Sequence, residues 1–173
     1  MVTDKELKEV FSKVQNGDKE AFGVIYDELK KPIFTIAYRI TSSKTSAEDV
    51  THDVFVKLFV TPPSPSVKNT RAWIFSMARN LSIDAIRKKK TVDIEDAEIV
   101  SYDDIDDIVS KISVADAVSK LPQDEREIIS LHIDCGLSFG ETAKAVGLSL
   151  PAAYRKYRKA LNTVQKLLNG ESL

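Results

Sequence analysis

Residues 137–168 read LSFGETAKAVGLSLPAAYRKYRKALNTVQKLL, and their periodicity decides the fold class. Ser138 and Glu141 stand at the Ser-x-x-Glu spacing of a capping box, in which each side chain satisfies a free backbone N–H at a helix start. The helix that opens there carries Thr142, Ala143 and Ala145 and runs into Val146-Gly147-Leu148. Glycine takes the positive φ that ends a helix and turns the chain. Ser149 then caps a second helix. Leu150, Ala153, Tyr154, Tyr157, Leu161, Val164 and Leu168 recur along it at three- and four-residue steps, an apolar stripe expected to be core. Arg155, Lys156, Arg158 and Lys159 point roughly the other way, near its amino-terminal half. A short helix, a glycine turn and a basic helix are the parts of a helix-turn-helix, whose second helix enters a DNA major groove. On charge alone a solvated basic surface is the preferred reading of that face; the short helix, glycine turn and basic helix together favour DNA binding.

Outward from this stretch, nearly everything keeps the 3.6-residue period and no segment alternates as a strand does, which predicts an all-α protein. Helices are expected at about 4–15, 18–41, 46–60 and 70–90, followed by three or four more between 112 and 169. Thr61-Pro62-Pro63-Ser64-Pro65-Ser66 breaks the pattern as a loop. Residues 1–90 carry 16 Lys/Arg against 11 Asp/Glu, 91–110 carry eight carboxylates and no base, and 111–173 carry nine against seven. Two basic blocks joined by an acidic one suggest two small helical domains that face nucleic acid, 1–90 and 111–173, and an acidic linker over 91–110.

Two helices of the first block present more than a core face. In SAEDVTHDVFVKL (46–58), Ala47, Val50, Val54 and Leu58 form the buried stripe, and Asp49, His52, Asp53 and Val56 form a second, outward one. Carboxylates one turn apart with an exposed valine suit a basic protein partner; a plain acidic surface is the alternative. In TRAWIFSMARNLSIDAIRKKK (70–90), Ile74, Met77, Ala78, Leu81 and Ala85 form the core stripe, while Trp73, Ser76, Asn80, Asp84 and Arg87 line another. A tryptophan stacks on an unpaired base, Asn bonds a base edge, and Arg and Lys hold phosphates, so this face suits single-stranded DNA. The alternative is that Trp73 plugs the core beneath the 61–69 loop.

Catalytic and metal chemistry find no support. The Asp/His pairing on one helix has no second motif to close a site, Cys135 stands alone, and His52 and His132 lie far apart. No enzyme activity, cofactor or metal is expected, and Cys135 reads as core filling. No run of about 18 apolar residues exists and the first residues, MVTDKELKEV, lack the apolar core of a signal peptide, so the expectation is a cytoplasmic protein without membrane insertion.

Taken in order, DKEAFGVIYDEL, AEDVTHDVF, AWIFSMARN, IDAIRKKK, LPQDEREIISLHI, GLSFGETAKAVGLS and RKYRKAL resemble the extracytoplasmic-function subgroup of bacterial sigma factors over nearly the whole chain. The resemblance implies an alternative sigma factor: sigma region 2 over 1–90, sigma region 4 over 111–173, and no region-three domain between them. It implies core RNA polymerase as partner, with Asp49, His52, Asp53 and Val56 against the clamp helices of the largest subunit. Pro122, Glu125 and Arg126 fall at the start of region four, which packs on the flap. The 61–69 loop with Trp73, Asn80, Asp84, Arg87 and Lys88 falls where the family opens the -10 element of promoter DNA, and Tyr154, Arg155, Lys156, Arg158 and Lys159 fall on the helix that reads the -35 element. An anti-sigma protein is a further implied partner. The chain departs from the family pattern at His52, Thr142 and Pro151-Ala152-Ala153, the last at the turn into the recognition helix. Two other readings compete. A free-standing helix-turn-helix regulator leaves AEDVTHDVF and the Trp73 helix without purpose; a sigma-like adaptor without promoter use rests on the altered turn alone.

Overall fold

The structure is a computed structural model, which describes residues 3–92 and 113–170. Its elements in chain order are α1 (Asp4–Gln15), α2 (Glu20–Thr41), α3 (Lys44–Val60), α4 (Thr70–Val92), α5 (Val114–Ser119), α6 (Gln123–Ile129), a π-helical turn (Ser130–Asp134), α7 (Phe139–Val146) and α8 (Leu150–Leu168). The described residues hold no strand, so the protein is all-α. The acidic segment expected as a linker lies, apart from the last two residues of α4, outside the described residues.

Several boundaries have a local cause. Thr3, Ser43, Ser113, Ser138 and Ser149 are N-caps whose side chains accept backbone N–H bonds, each worth about 1 kcal/mol. Gly147, at φ 70°, ends α7 in the left-handed conformation, and Ser42, at φ 53°, does the same for α2 without glycine's freedom. Pro32 sits inside α2, which continues past it for nine residues. Proline there removes one helical hydrogen bond, but Ile33, Ile36, Ala37 and Ile40 beyond it are all fully buried or nearly so. Burying side chains of that size yields about 1.5–3 kcal/mol each, enough to hold the distal half in place.

The centre of the molecule is α2, packed against α1, α3 and α4. Its buried stripe, Ile25, Leu29, Ile33, Ile36 and Ile40, meets Ala47, Val50, Val54 and Leu58 of α3, the positions the sequence period marked as core. In α4 the buried positions are Thr70, Arg71, Ile74, Phe75, Ala78 and Ser82, with Met77, Leu81 and Ala85 only half-buried. The core face is thus turned by part of a turn from the expected stripe, because α4 packs chiefly against α2 and α3, with α1 beside them. A second cluster forms where α5 and α6 meet α8: Ala117, Val118, Leu121, Ile129, Ala160, Val164 and Leu167.

The larger cluster does not stop at the chain's midpoint. Leu131, Cys135 and Leu137, from the turn and loop before α7, are buried within it, and α6 and the π-helical turn pack on α2 while α7 packs on α4. Polar pairs tie the same junction. Arg39 meets Asp134 through two bonds, Nε to Oδ2 at 3.1 Å and Nη2 to Oδ1 at 3.3 Å. Arg79 Nε lies 2.8 Å from Glu127 Oε2, and Asn69 donates to Glu141. Cys135 is core filling, as expected: it is fully buried, and burial pushes its thiol far above the ordinary cysteine range.

The expected core stripe of the last helix needs correction. Leu150, Tyr154 and Leu161 are 52%, 46% and 38% exposed, whereas Ala153, Ala160, Val164 and Leu167 are buried and Tyr157 is half-buried. Helix α8 packs against α5, α6 and α7 along a narrow seam spaced four, three, four and three residues, so the outer flank of the broad apolar stripe stays in solvent.

Candidate nucleic-acid and partner interface

The helix-turn-helix is built from paired caps. Ser138 Oγ accepts from Glu141 N at 3.3 Å while Glu141 Oε2 accepts from Ser138 N at 2.9 Å, and Leu148 N closes the turn onto Ala143 O at 2.9 Å. Pro151 occupies the first turn of α8, where a missing N–H costs nothing. An aromatic cluster fixes α8 against α7: the His132 ring stacks on Phe139 with centroids 3.9 Å apart, and Tyr154 and Tyr157 meet Phe139 edge-on at 5.3 and 5.0 Å. Only periodicity was visible in sequence here; the shared contact of residues 132, 139, 154 and 157 is tertiary.

The structure splits the five residues expected to read DNA on α8. Arg155 and Arg158 are exposed and make no ion pair among the described residues, and Tyr154 stands beside them, half out of the aromatic cluster. With Lys159, Asn162, Thr163 and Lys166 they line a basic hollow of about 750 Å³. Lys156 turns instead toward α6, and Lys159, although it lines the hollow, also reaches an α6 carboxylate. Lys156 pairs with Asp124, holding that carboxyl below the usual aspartate range, and Lys159 Nζ lies 2.8 Å from Glu125, which raises the lysine above its ordinary value. Glu125 is 2% exposed, so its pairing is a structural requirement of the α6–α8 seam.

On α4, Trp73, Asn80, Asp84, Arg87 and Lys88 are all exposed on one side of the helix. Trp73, at 37% exposure, presents part of its ring to solvent while the rest is covered. Phe75, two residues on, is the fully buried aromatic of this turn. Arg87 and Asp84 approach to 3.9 Å across one turn. The 61–69 loop before α4 is pinned at Pro63, which is buried, and folds back through a Val67 N to Ser64 O bond of 2.9 Å.

On α3, Asp49, His52, Asp53 and Val56 all face outward, as the second stripe required. The stripe does not end there: Phe59 and Val60, 52% and 72% exposed, extend it by a further turn. Phe59 is held edge-on by Phe22 at 5.3 Å, inside an aromatic group with Tyr26 and Phe55. Sequence reasoning passed over this apolar end, although positions 59 and 60 stand three and four residues beyond Val56 and share its face. Beside the stripe, a groove of about 610 Å³ runs between α2 and α3. The described residues hold no cluster of His, Cys, Asp or Glu fit for a metal ion, and no described helix is long and apolar enough to cross a membrane.

A capped helix-turn-helix with a free arginine pair, docked on a helical unit that displays a tryptophan-bearing basic helix, defines a helical DNA-binding transcription protein. Sigma-70 region 2 matches residues 25–92 and Sigma-70, region 4 matches residues 111–164. The ECF RNA polymerase sigma factor SigW of Bacillus subtilis is 33% identical over 150 residues, covering 86% of this chain and 74% of that protein. The ECF RNA polymerase sigma factor BldN of Streptomyces coelicolor is 25% identical over 96% of this chain and 67% of its own length. The fold is shared with CnrH, solved with the cytosolic domain of CnrY, at a TM-score of 0.65 and 23% identity over 95% of this chain and 98% of that one. RpoE of Bartonella quintana, solved with the anti-sigma factor NepR, gives the same TM-score at 24% identity over 86% and 96%. The chain belongs to the ECF RNA polymerase sigma factor family, and it is a transcription initiation factor.

Proposed function

We propose that this sigma factor works through three surfaces. The outward stripe of α3, Asp49, His52, Asp53 and Val56, holds the clamp helices of core RNA polymerase, and the apolar end at Phe59 and Val60 extends that contact. Opposite charge steers and orients the encounter, and desolvated apolar side chains supply the affinity. On α4, Trp73 with Asn80, Asp84, Arg87 and Lys88 captures bases of the -10 element once the strands part. Stacking supplies about 1–3 kcal/mol per base toward the cost of opening. On α8, Tyr154, Arg155 and Arg158 read the -35 element, while Lys156 and Lys159 reach DNA only by leaving their α6 partners. In this reading residues 1–90 act as region 2, 91–110 as the acidic connector and 111–173 as region 4, whose start rests on the polymerase flap. The protein performs no chemistry of its own, acts in the cytoplasm where polymerase and promoters meet, and is held in reserve by an anti-sigma protein.

The observation that carries this reading is Trp73, the chain's one tryptophan, displayed to solvent on the same face as Asn80 and Arg87. A regulator that binds only duplex DNA has no use for such a face. The test is co-purification with bacterial core RNA polymerase, followed by mapping of transcripts started in vitro when the protein is added. Binding together with new start sites that share upstream elements is expected. Tight duplex binding without any polymerase binding would replace the reading with that of a free-standing regulator.

A further inference from the structure

The first turn of α4 has four backbone N–H groups with no helical partner of their own, and Trp73 is the residue that closes it. Asn69, just before the helix, accounts for one of them: its Oδ1 accepts from Ala72 N at 2.8 Å, while its carbonyl accepts the first helical bond, from Trp73 N at 3.1 Å. Two more are taken from far away in sequence. Asp4 Oδ1, on α1, accepts from Thr70 N at 2.6 Å and Arg71 N at 3.1 Å. Thr70 and Arg71 are 1% and 7% exposed, so water is poorly placed to replace that carboxylate. Lys8, one turn along α1, stands 3.4 Å from Asp4 Oδ2 and donates to Lys68 O at 3.2 Å, which ties the end of the 61–69 loop to the same point. Helix α1 is itself anchored by Leu7 and Phe11, both in the core. The charge is also of the right sign, because an anion is favoured at the positive end of a helix dipole.

We propose that Asp4 is a positioning residue for -10 capture: from α1 it seats the start of α4, and so fixes Trp73 relative to the 61–69 loop. The proposal rests on the reading of Trp73 given above. Without Asp4 two buried donors lose their acceptor, the first turn opens, and Trp73 samples orientations in which a flipped base finds no stacking surface.

Because Trp73 is the chain's one tryptophan, its fluorescence reports on that turn directly. The experiment compares Asp4→Ala and Asp4→Asn with the unaltered chain, reading acrylamide quenching of Trp73 in the free protein. It also reads permanganate-detected promoter opening by holoenzyme assembled with core polymerase, on a start site recovered in the transcription assay. Asp4→Ala is expected to raise quenching and lower opening about fivefold with core binding unchanged, a loss of the order set by a missing cap. Asp4→Asn, which keeps an acceptor oxygen, restores most of both. Unchanged quenching in Asp4→Ala, or no restoration by Asp4→Asn, overturns the proposal. If Asp4→Ala does not fold, Lys8→Ala takes its place, with a smaller shift in the same direction expected and no shift counting against it. Trp73→Ala opening promoters as well as the unaltered chain would defeat the reading of Trp73 while leaving the quenching result to decide the role of Asp4.

Discussion

Single residues in this protein are legible from sequence where their role is local. Ser138, Glu141, Gly147 and Ser149 behave as their spacing requires because caps and left-handed turns are settled within a few residues of chain. Thr142 shows the opposite case. It is fully buried in α7, and its hydroxyl has no hydrogen-bond partner among the described residues. A buried polar group left unpaired costs about 1–3 kcal/mol. Thr142→Val, which exchanges the hydroxyl for a methyl of like size, is expected to stabilise the chain by about 1 kcal/mol. Calorimetry should show that as a rise in Tm of roughly 2–4 °C, with DNA binding unaltered; a fall in Tm would mean that the hydroxyl is satisfied in solution.

At the scale of elements, the outward stripe of α3 and the free arginines of α8 make separable predictions. Asp49→Arg combined with Asp53→Arg changes only exposed positions, so the melting curve should stay within about 0.5 kcal/mol of the original while co-purification with core polymerase is lost. Retained co-purification would remove α3 from the interface. Arg155→Ala with Arg158→Ala avoids the lysines committed to α6. It should weaken duplex binding and lower the slope of log K against log salt by about 2, one phosphate contact for each arginine; an unchanged slope would show that neither touches the backbone.

The α6–α8 seam adds a pH dependence whose sign follows from its two shifted groups. Asp124 is held low by the Lys156 ammonium, so its contribution is present above the ordinary aspartate value, about 4, and is lost as pH falls through the depressed one. Lys159 is held high by Glu125, so its contribution is present below the ordinary lysine value, about 10.4, and is lost as pH rises through the raised one. Between those limits the seam should be indifferent to pH. In melting experiments, the difference between the unaltered chain and Asp124→Asn is expected to shrink toward zero below about pH 4; a difference that persists there would assign the effect to packing.

The whole molecule is joined across its middle by charge pairs seated in shared apolar packing. Glu127 keeps 6% of its side chain exposed and meets Arg79, with Gln123 Nε2 donating to its other oxygen at 3.0 Å. Removing the arginine strands a buried carboxylate, so Arg79→Ala should destabilise the chain by about 3–5 kcal/mol. Arg79→Ala combined with Glu127→Gln should recover much of that loss in urea unfolding, since the stranded charge is gone. Equal stability of Arg79→Ala and the unaltered chain would show that the junction opens in solution.

From sequence alone came the all-α class, the helix boundaries to within a few residues, the helix-turn-helix, and the outward faces of α3 and α4. All of these are set by short-range spacing: caps act over three residues, and a helical face repeats every three or four. What the sequence left open was decided by which helix lies against which. Phe75 fills the core and Trp73 faces solvent because of which side of α4 the neighbouring helices, chiefly α2 and α3, pack against. Lys156 and Lys159 are bound while Arg155 and Arg158 stay free because α6 runs along one flank of α8. Leu131, Cys135 and Leu137 join a core begun at Leu7, and Asp4 caps a helix that starts 66 residues later. Such contacts have no period to betray them; they exist only once burial of apolar surface has brought distant helices within bonding reach.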